Sequence, residues 1–461
     1  MEHILEPSRQ TAIFRSCDVL VCGAGTSGFC AAIAASRNGA DSILVERGGY
    51  PGGTLTQSLV MPLMTFHASL TRQVIGGIAE ELVERVRSHG GSPGHLPDPL
   101  GTASTITPVD PEILKFCMVE MLRESGTHLL FHTQICGVFQ AGQEIRGIFF
   151  ENKSGRKAIL SSVTVDATGD ADIACWGGAE FVVGRSSDQG AQPMTLMFRL
   201  AGVDGKVVRT YIQDNPDEFT FTEQALQNLD SLPLLAVSGF FGLLRQAQTD
   251  GVLTDFRDRV LYFELPRAGE VIMNMTRIIG HSGLNTQQIT AAQFEGYRQV
   301  YQCVRFLKEY VPGFSKAYLL ETASQIGIRE TRHLCGKYTL TGEDVLHGRD
   351  FADSIARGAF PIDIHSPDGS GLAMQKMTPG MSYGIPYGCM LPRDLEGIIV
   401  TGRSISATHE AAASARVSPT CMALGQAAGT AAVLASKNRI SPSRIDVSEL
   451  RRTLLSQGAI L

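Results

Sequence analysis

Short apolar runs alternate with glycine-rich and polar turns at the beginning of the chain. Residues 19–22 and 42–45 are apolar runs of strand length, and an alanine-rich segment at 29–37 lies between them. Fully apolar runs of this length are typical of buried parallel strands, and the alanine-rich segment has the length of a helix that ends at Gly39. The pattern therefore predicts a strand–helix–strand unit of a parallel sheet.

Three glycines between the first strand and the helix indicate that this unit binds a ligand. Gly23, Gly25 and Gly28 have the spacing G-x-G-x-x-G, and Glu46 follows the second strand, 18 residues after Gly28. In such a turn the first glycine allows the bend, the second lets a pyrophosphate approach the backbone, and the third lets helix and strand pack closely. The free N–H groups at the start of the helix attract phosphate, and a carboxylate such as Glu46 binds ribose hydroxyls. This context predicts a dinucleotide site.

The apolar segments that follow the first unit are short and closely spaced. Segments 128–132, 135–139, 145–151 and 158–165 are separated by polar turns, and the last one runs into VDATGDAD at 165–172. Closely spaced short strands predict a β-meander. Asp170 and Asp172 are equally suited to cap the next helix, so their role is open at this point.

The middle of the chain has a different pattern. Strands are predicted at 194–200, 260–265 and 271–276, and an amphipathic helix at 289–310. A strand at 397–401 then precedes a helix in which Ser418 is the predicted cap and Pro419 the first residue. We therefore predict an α/β fold in which residues 1–192 and 384–461 form a Rossmann-like domain with a parallel central sheet and a β-meander. Residues 193–383 are predicted to form an inserted α+β substrate domain.

Composition and charge narrow the classes of function. The chain has 461 residues and a formal net charge of −6, so it has no broad basic field that would attract nucleic acid. None of its ten cysteines forms a C-x-x-C pair or a cluster with zinc-ligand spacing, so we predict no metal site and a reducing compartment. The polar amino-terminal residues lack the pattern of a signal peptide, and no apolar run is long enough to span a bilayer. We expect a cytoplasmic protein, and whether it forms a homo-oligomer is left open.

Several motifs taken together resemble one family. They are GAGTSG at 23–28 with Glu46, YPGGTLT at 50–56, DATGDAD at 166–172, IGIRETR at 326–332, and TGRSISATHEA with RVSPTCMALGQAAG at 401–429. In this combination the chain resembles the FAD-dependent oxidoreductase family, which is similar to the larger glutathione-reductase-type flavoprotein group that includes fumarate reductases. The resemblance implies that the Rossmann-like domain binds FAD.

The resemblance also implies a set of FAD-binding residues. Gly402 and Arg403 are expected to close over the cofactor, while Val417 and Ser418 direct backbone N–H groups at flavin N1 and O2. Ile135 or Cys136 would contact adenine through the backbone. The remaining implied residues are Gly23, Gly25, Ser27 and Gly28 for the pyrophosphate, Glu46 for the ribose, Gly53 and Thr54 beside the flavin ring, and Thr168, Gly169 and Asp170 near the ribityl chain and the pyrophosphate. Ala24, Thr26, Arg47 and Ala167 are expected to bind the cofactor as well.

The sequence departs from the covalent members of this group in one respect. Succinate dehydrogenase-like members bind FAD through a histidine beside the loop that follows the ribose carboxylate. The corresponding loop here, residues 50–56, contains no histidine, and His67 lies more than ten residues further along the chain. We therefore expect non-covalent FAD.

Five side chains are candidates for the chemistry beside the flavin. His409, close to Arg416, is a predicted base or hydrogen-bond donor, with a structural histidine as the alternative. Arg329 and Arg332 would share one face of a helix and bind an anionic substrate, unless the intervening Glu330 makes them a structural ion-pair network. His365 is another candidate for the base. If residues 363–365 form a strand, Asp363 lies on the same face and would orient His365; the alternative is that the two side chains form a buried structural pair.

The predicted function follows from the cofactor and these candidates. We expect an FAD-dependent oxidoreductase of the dehydrogenase or oxidase type that transfers a hydride between flavin N5 and the CH–OH or CH–CH unit of a small polar substrate. The electron acceptor is not identified. One alternative is a flavin-dependent monooxygenase, although no second G-x-G-x-x-G is visible for NAD(P)H. The other is a non-catalytic, FAD-holding electron-transfer subunit, although no cluster-binding cysteines are visible.

Overall fold

A computed structural model describes residues 4–5, 7–254, 258–366 and 371–461 of the chain. The helices are α1 Thr26–Arg37, α2 Ile78–Ser88, α3 Pro111–Ser125, α4 Asp172–Trp176, α5 Gly205–Asp214, α6 Glu223–Gln227, α7 Phe241–Thr249, α8 Thr286–Tyr310, α9 Gly342–Leu346, α10 His409–Ala415, α11 Ser418–Asn438 and α12 Val447–Ser456.

The strands are β1 Ile13–Cys22, β2 Ser42–Val45, β3 His67–Ser69, β4 Arg72–Gln73, β5 Leu96–Pro97, β6 Thr105–Ile106, β7 His128–Leu130, β8 Gln134–Ala141, β9 Glu144–Asn152, β10 Gly155–Asp166, β11 Phe181–Val183, β12 Phe198–Ala201, β13 Ala236–Gly239, β14 Val260–Glu264, β15 Val271–Met273, β16 Tyr318–Thr322, β17 Arg332–Leu334, β18 Ser354–Gly358, β19 Ile362–His365, β20 Leu372–Gln375, β21 Tyr383–Pro386 and β22 Ile398–Val400. The fold is α/β, as predicted.

The central sheet has the order β7-β2-β1-β10-β9-β8, and β22 pairs with β10. The β1–β2, β2–β7, β1–β10 and β10–β22 pairs are parallel, whereas β9 is antiparallel to β8 and β10. Cys22 at the end of β1 lies opposite Asp166 at the end of β10. The glycine turn and the DATG segment therefore leave the sheet side by side, at the carboxyl ends of neighbouring strands.

One strand of the predicted meander belongs elsewhere. The first of the four segments forms β7, which is parallel to β2 at the edge of the central sheet, so the meander consists of β8, β9 and β10 only. The reason is the crossover through α3, which returns the chain to the same edge in the parallel sense. Asp110 caps α3 by accepting from the N–H of Glu112 at 2.8 Å, and Gly126 ends the helix with a φ of 80°.

Helix α11 packs directly on α1 and thereby joins the two ends of the chain. A Cβ on Gly425 would lie 2.0 Å from the carbonyl oxygen of Ser27, and one on Gly429 would lie 2.1 Å from that of Ala31. Two glycines four residues apart thus let the helix backbones touch. This contact fixes the amino terminus of α11 beside the glycine turn.

A second, antiparallel sheet lies within the predicted substrate domain. Its strand order is β13-β14-β15-β12-β16, and α8 is the long helix of the same region. Strands predicted at 194–200, 260–265 and 271–276 correspond to β12, β14 and β15, each shortened by one to four residues at an end. The boundaries 193 and 383 themselves stay a prediction.

Two local expectations are wrong. Arg329 and Arg332 do not share a helix, because residues 328–331 are irregular and Arg332 begins β17. Ser418 is the first residue of α11 rather than its cap. The cap is Val417, and no side chain bonds the helix start there. Within the described ranges, no helix is both long and apolar enough to cross a membrane.

Candidate functional site

A cavity of about 360 Å³ opens at the carboxyl ends of β1 and β10. Its lining comes from distant parts of the chain: the glycine turn, the DATG segment, residues 325–329, β19 and the start of α11. Such a crevice outside the carboxyl ends of parallel strands is where α/β sheets bind ligands.

The glycine turn shows which of its glycines serve packing and which serve the cavity. A Cβ on Gly28 would lie 1.8 Å from the carbonyl oxygen of Gly23, and one on Gly23 would lie 2.6 Å from that of Ala167. A Cβ on Gly25 would meet no atom within 4 Å, although Gly25 lines the cavity. The missing side chain of Gly25 therefore leaves space for a ligand that approaches the backbone, as a pyrophosphate does.

Glu46 closes this end of the cavity. Its side chain is buried, and its two carboxylate oxygens accept from the N–H groups of Ala24 and Gly48, each at 2.7 Å. The carboxylate therefore links the glycine turn to the loop after β2, and it lies where the sequence predicts contact with ribose hydroxyls.

Arg403 and Asp170 join the closing segment to the DATG segment. Arg403 donates from Nη2 to Asp170 Oδ1 at 2.5 Å and from Nε to the carbonyl oxygen of Gly169 at 2.6 Å. Asp172 forms a different ion pair, at 2.8 Å from Arg332. Neither aspartate side chain caps α4, so the capping role that the sequence left open is not the one found.

The polar groups at the other end of the cavity centre on Asp363. Its Oδ2 lies 3.4 Å from Nε2 of His365 and 3.9 Å from Nη2 of Arg416. Arg329, also in the lining, donates to the carbonyl oxygen of Pro193 at 2.6 Å and to Thr195 Oγ1 at 2.7 Å. This end of the cavity thus combines the guanidinium groups of Arg329 and Arg416 with the imidazole of His365 and the carboxylate of Asp363.

Two atoms at this end lack partners within the described part of the chain. They are Oδ1 of Asp363, an acceptor, and Nε of Arg416, a donor, and both are buried from solvent. Burial raises the pKa of Asp363, but the hydrogen bond and charge of His365 and the charges of Arg416 and Arg329 outweigh it, so that the pKa falls to about 2. Burial also lowers the pKa of Arg416, against the opposing effect of Asp363. A polar ligand with both a donor and an acceptor would satisfy the two orphan atoms.

The comparison with protein families identifies the cofactor of this chain. A family model described as FAD dependent oxidoreductase matches residues 18–454, nearly the whole chain. The chain belongs to this family. FAD is therefore its cofactor, and the open space at Gly25, the buried Glu46 and the orphan polar atoms at the far end are consistent with a long polar ligand in this cavity.

Solved structures give a more distant likeness. The chain is similar to a geranylgeranyl bacteriochlorophyll reductase-like protein from Thermoplasma acidophilum, with 11% identity, a TM-score of 0.47, and coverage of 96% of this chain and 84% of that chain. It is also similar to p-nitrophenol 4-monooxygenase PnpA from Pseudomonas putida, with 10% identity, a TM-score of 0.44, and coverage of 92% and 79%. No curated protein matches the chain.

Most of the predicted FAD-binding residues line the cavity. Helix α11 contributes its amino terminus, where the positive end of the helix dipole favours negative charge. Ala24, Gly28 and Cys136 are not among the described lining residues. Those that do line it are Gly23, Gly25, Thr26, Ser27, Glu46, Arg47, Gly53, Thr54, Ile135, Ala167, Thr168, Gly169, Asp170, Gly402, Arg403, Val417 and Ser418.

The structure adds lining residues that the sequence analysis missed. Trp176, the single tryptophan of the chain, lines the cavity together with Ile135 and Glu46. The sequence could have indicated Trp176, because this residue lies only four positions after the DATGDAD segment that is predicted to contact the cofactor. Met64, Phe263 and Phe360 also line the cavity, and no local pattern indicates them because the contacts are long-range.

Among the predicted catalytic residues, Arg329, His365 and Arg416 line the cavity, whereas His409 and Arg332 are not in its described lining. His409 is buried, and its Nδ1 lies 2.7 Å from Oε1 of Glu330. Arg332 donates to Asp172 and to the carbonyl oxygen of Asp170, both at 2.8 Å. Both side chains are thus engaged in protein contacts, although Arg332 pairs with Asp172 and not, as its structural alternative had it, with Glu330.

Glu330 is the centre of a buried cluster behind the cavity. Its Oε1 is also 3.0 Å from Nε2 of His333, and its Oε2 accepts from the N–H of Gln192 at 3.1 Å. Burial raises the pKa of Glu330, but the hydrogen bonds and charges of His333 and His409 outweigh it and lower the pKa to about 2. Glu330 therefore pairs with histidines rather than with the neighbouring arginines.

The low pKa values of Glu330 and Asp363 make the stability of the protein depend on pH in the acid range. A carboxyl whose pKa is lower in the folded state stabilises the fold above its unfolded pKa, and that contribution is lost as the pH falls towards the folded value. For Glu330 and Asp363 the loss falls between about pH 4.5 and about pH 2. We expect the free energy of unfolding to decrease over this range in urea titrations.

The matched variant is Glu330→Gln, which cannot ionise. Its free energy of unfolding should be lower than that of the wild-type protein at neutral pH and should change less between pH 5 and pH 3. Equal slopes for the two proteins over this range would contradict the assignment of a low pKa to Glu330.

Proposed function

We propose that this FAD-dependent oxidoreductase transfers a hydride between FAD and a CH–OH or CH–CH unit of a polar substrate, with His365 as the acid or base. When bound, FAD accepts or supplies the hydride at flavin N5. The observation that carries the proposal is that the glycine turn and the Asp363–His365 pair line one cavity. A candidate proton-transfer group and the predicted dinucleotide-binding turn therefore share one cavity.

Asp363 prepares His365 for this role. Strand β19 places residues 363 and 365 on the same face, and the carboxylate faces Nε2 of the imidazole at 3.4 Å. The backbone N–H of His365 donates to Gln192 Oε1 at 3.2 Å, which fixes the end of the strand. An imidazole held in this way can accept a proton from a substrate or return one to it.

Arg329 and Arg416, at the far end of the cavity from the glycine turn, favour a substrate with an anionic group. Arg329 donates to Pro193 and Thr195, whereas Arg416 donates from Nη2 to Gln192 Oε1 at 3.3 Å. These contacts fix the guanidinium groups, while Asp363 offsets only part of their positive charge. A carboxylate on the substrate would complete the balance of charge.

The residues that line the cavity favour non-covalent binding of FAD. Within the described lining, His365 is the histidine of this cavity, and the loop at 50–56 supplies none. His67 lies beside His95 and Thr105 and is not in that lining. The narrower likeness to glutathione-reductase-type flavoproteins stays a prediction.

Anaerobic reduction of the flavin tests this function. FAD-loaded protein should lose its flavin absorbance with at least one member of a panel of hydroxy acids and dicarboxylic acids. The variant His365→Asn should bind FAD normally but reduce it at least about 100-fold more slowly, because general acid–base catalysis contributes at least this factor. The exposed His347, changed to Asn, serves as the matched control.

Two outcomes would contradict the proposal. One is that His365→Asn reduces the flavin as fast as the wild-type protein with a substrate that bleaches it. The other is NADPH-driven oxygen uptake coupled to a hydroxylated product, which would support the monooxygenase alternative. Turnover by the isolated chain would exclude the role of a non-catalytic electron-transfer subunit.

A further inference from the structure

Gln192 contacts two of the polar residues at the far end of the cavity at once. Its Oε1 accepts from the backbone N–H of His365 at 3.2 Å and from Nη2 of Arg416 at 3.3 Å. Its own backbone N–H donates to Oε2 of Glu330 at 3.1 Å, and the residue is 3% exposed. Gln192 therefore joins the candidate base to a candidate anion-binding arginine from a buried position outside the described lining of the cavity.

Two N–H donors fix the orientation of the Gln192 amide. If its oxygen and nitrogen exchanged places, the NH2 group would face the N–H groups of His365 and Arg416, and neither contact could be a hydrogen bond. The observed orientation leaves Nε2 without a partner in the described part of the chain, although this atom is buried from solvent. A buried donor without a partner lowers the stability of a fold. The arrangement thus indicates a role other than stabilisation.

The next residues of the chain hold the second arginine of this end. Arg329 donates to the carbonyl oxygen of Pro193 at 2.6 Å and to Thr195 Oγ1 at 2.7 Å. The backbone of Thr195 exchanges two hydrogen bonds with that of Gly327, at 3.0 and 2.8 Å. The segment at residues 192–195 is therefore a common support for the candidate base and for the guanidinium groups.

The contacts of Arg416 show why a neutral acceptor matters. Its Nη2 also donates to the carbonyl oxygen of Asp363 at 3.2 Å, whereas the carboxylate Oδ2 of Asp363 is 3.9 Å away, beyond hydrogen-bond distance. The guanidinium group is thus oriented by two uncharged oxygen atoms. Such a group keeps more of its positive charge for an anionic ligand than one bonded directly to a carboxylate.

We propose that Gln192 is a positioning residue of this site, which fixes the strand end that carries His365 and orients Arg416 without neutralising its charge. The inference rests on the proposed function. A substrate whose anionic group is bound by Arg416 then presents its reacting carbon to an imidazole at a fixed distance. Gln192 acts through these two side chains and is not itself a catalytic residue.

Malonate binding to the FAD-loaded protein tests the orientation of Arg416, because malonate is anionic and has no CH–OH or CH–CH unit to oxidise. The wild-type protein should bind it in calorimetric titrations. Gln192→Met, which has a side chain of similar length without an acceptor oxygen, should bind it at least about tenfold more weakly. Gln192→Glu should also bind it more weakly, because its carboxylate offsets the charge of Arg416. No binding by the wild-type protein, or unchanged affinity in Gln192→Met, would overturn the proposal.

The rate of flavin reduction at saturating substrate separates positioning from affinity. In Gln192→Met this limiting rate should fall at least about tenfold, because misplacement of a catalytic group by a fraction of an ångström is costly. In Gln192→Glu it should stay close to the wild-type value, since a carboxylate oxygen still accepts from the N–H of His365, although more substrate is needed. A residue that only supported the fold would not separate rate from affinity. Equal limiting rates in the two variants would contradict the role assigned to the amide oxygen.

Gln426→Met is the matched control. Gln426 is also buried, its Oε1 accepts from the backbone N–H of Ile78 at 2.9 Å, and its Nε2 likewise lacks a partner among the residues that the structure describes. It belongs to α11 but not to the described lining of the cavity. Malonate affinity and limiting rate should therefore equal those of the wild-type protein. If Gln426→Met lost both as Gln192→Met does, the effect would come from the loss of any buried amide.

The outcomes distinguish this inference from the proposed function. If Gln192→Met behaves like the wild-type protein while His365→Asn is slow, the reaction stands and the positioning role of Gln192 does not. If no substrate reduces the flavin, the proposed reaction fails, and the malonate affinities of Gln192→Met, Gln192→Glu and Gln426→Met alone decide whether Gln192 orients Arg416.

Discussion

Replacing Gly28 by alanine is expected to destabilise the fold by about 3 kcal/mol or more and to abolish FAD binding. The new Cβ would lie 1.8 Å from the carbonyl oxygen of Gly23 and 3.0 Å from the Cβ of Ala167. Neither neighbour is the end of a flexible side chain, so α1 must move away from the turn that follows β1. Urea unfolding of the FAD-free protein measures the first effect, and retention of flavin absorbance measures the second.

The neighbouring variant Gly25→Ala separates ligand binding from folding. Gly25 has a φ of −62° and a ψ of −175°, which any residue adopts, and a Cβ there would meet no protein atom within 4 Å. The free energy of unfolding of the FAD-free protein should therefore change by less than about 0.5 kcal/mol. The affinity for FAD should fall at least about tenfold, because the methyl group occupies the space at the backbone that a pyrophosphate needs. If Gly25→Ala bound FAD like the wild-type protein, the pyrophosphate could not lie at this turn.

Asp363→Asn is expected to lower the free energy of unfolding by about 2 kcal/mol at pH 7. The pKa of Asp363 is about 2, roughly two units below its usual value of 3.8, and each unit corresponds to about 1.4 kcal/mol of stabilisation of the ionised form. The substitution also leaves Arg416 without the carboxylate beside it, which adds to the loss. Because asparagine cannot offset the charge of His365, flavin reduction should slow as well.

Asp188→Asn is the matched control for this prediction. Asp188 also has a pKa lowered to about 2, by a hydrogen bond from Arg185, but this pair is exposed on the surface. Surface ion pairs contribute little to stability because water and salt screen them. Unfolding in urea should therefore show a larger loss of stability for Asp363→Asn than for Asp188→Asn. Equal losses would contradict the conclusion that the ion pairs of Asp363 are shielded from water.

The sequence predicted best those features that depend on neighbouring residues. The Gly23–Gly28 turn and the α1 helix each follow from a few consecutive positions. The same holds for β19, where Asp363 and His365 share a face because side chains alternate along a strand. Such local rules sufficed to predict most of the FAD-binding candidates that line the cavity.

Features that depend on distant contacts could not be predicted in the same way. His409 has a sequence context that favours a catalytic role, but its actual partner, Glu330, is 79 positions away in the chain. Likewise, the parallel pairing of β7 depends on the path of α3, and the close contact of Gly425 with Ser27 depends on the packing of two helices from opposite ends of the chain. Apolar periodicity specifies which face is buried, but not against which neighbour.

The most direct test of the account is a fluorescence titration of the FAD-free protein with FAD. Trp176 is the single tryptophan and lines the cofactor cavity, so its emission should be quenched as FAD binds, with an end point of one FAD per chain. Trp176→Phe should lose the emission signal while still taking up FAD, as measured by absorbance after gel filtration. If the chain takes up no FAD, or takes it up without a change in Trp176 emission, the amino-terminal turn and helix α11 do not build the cofactor site described above.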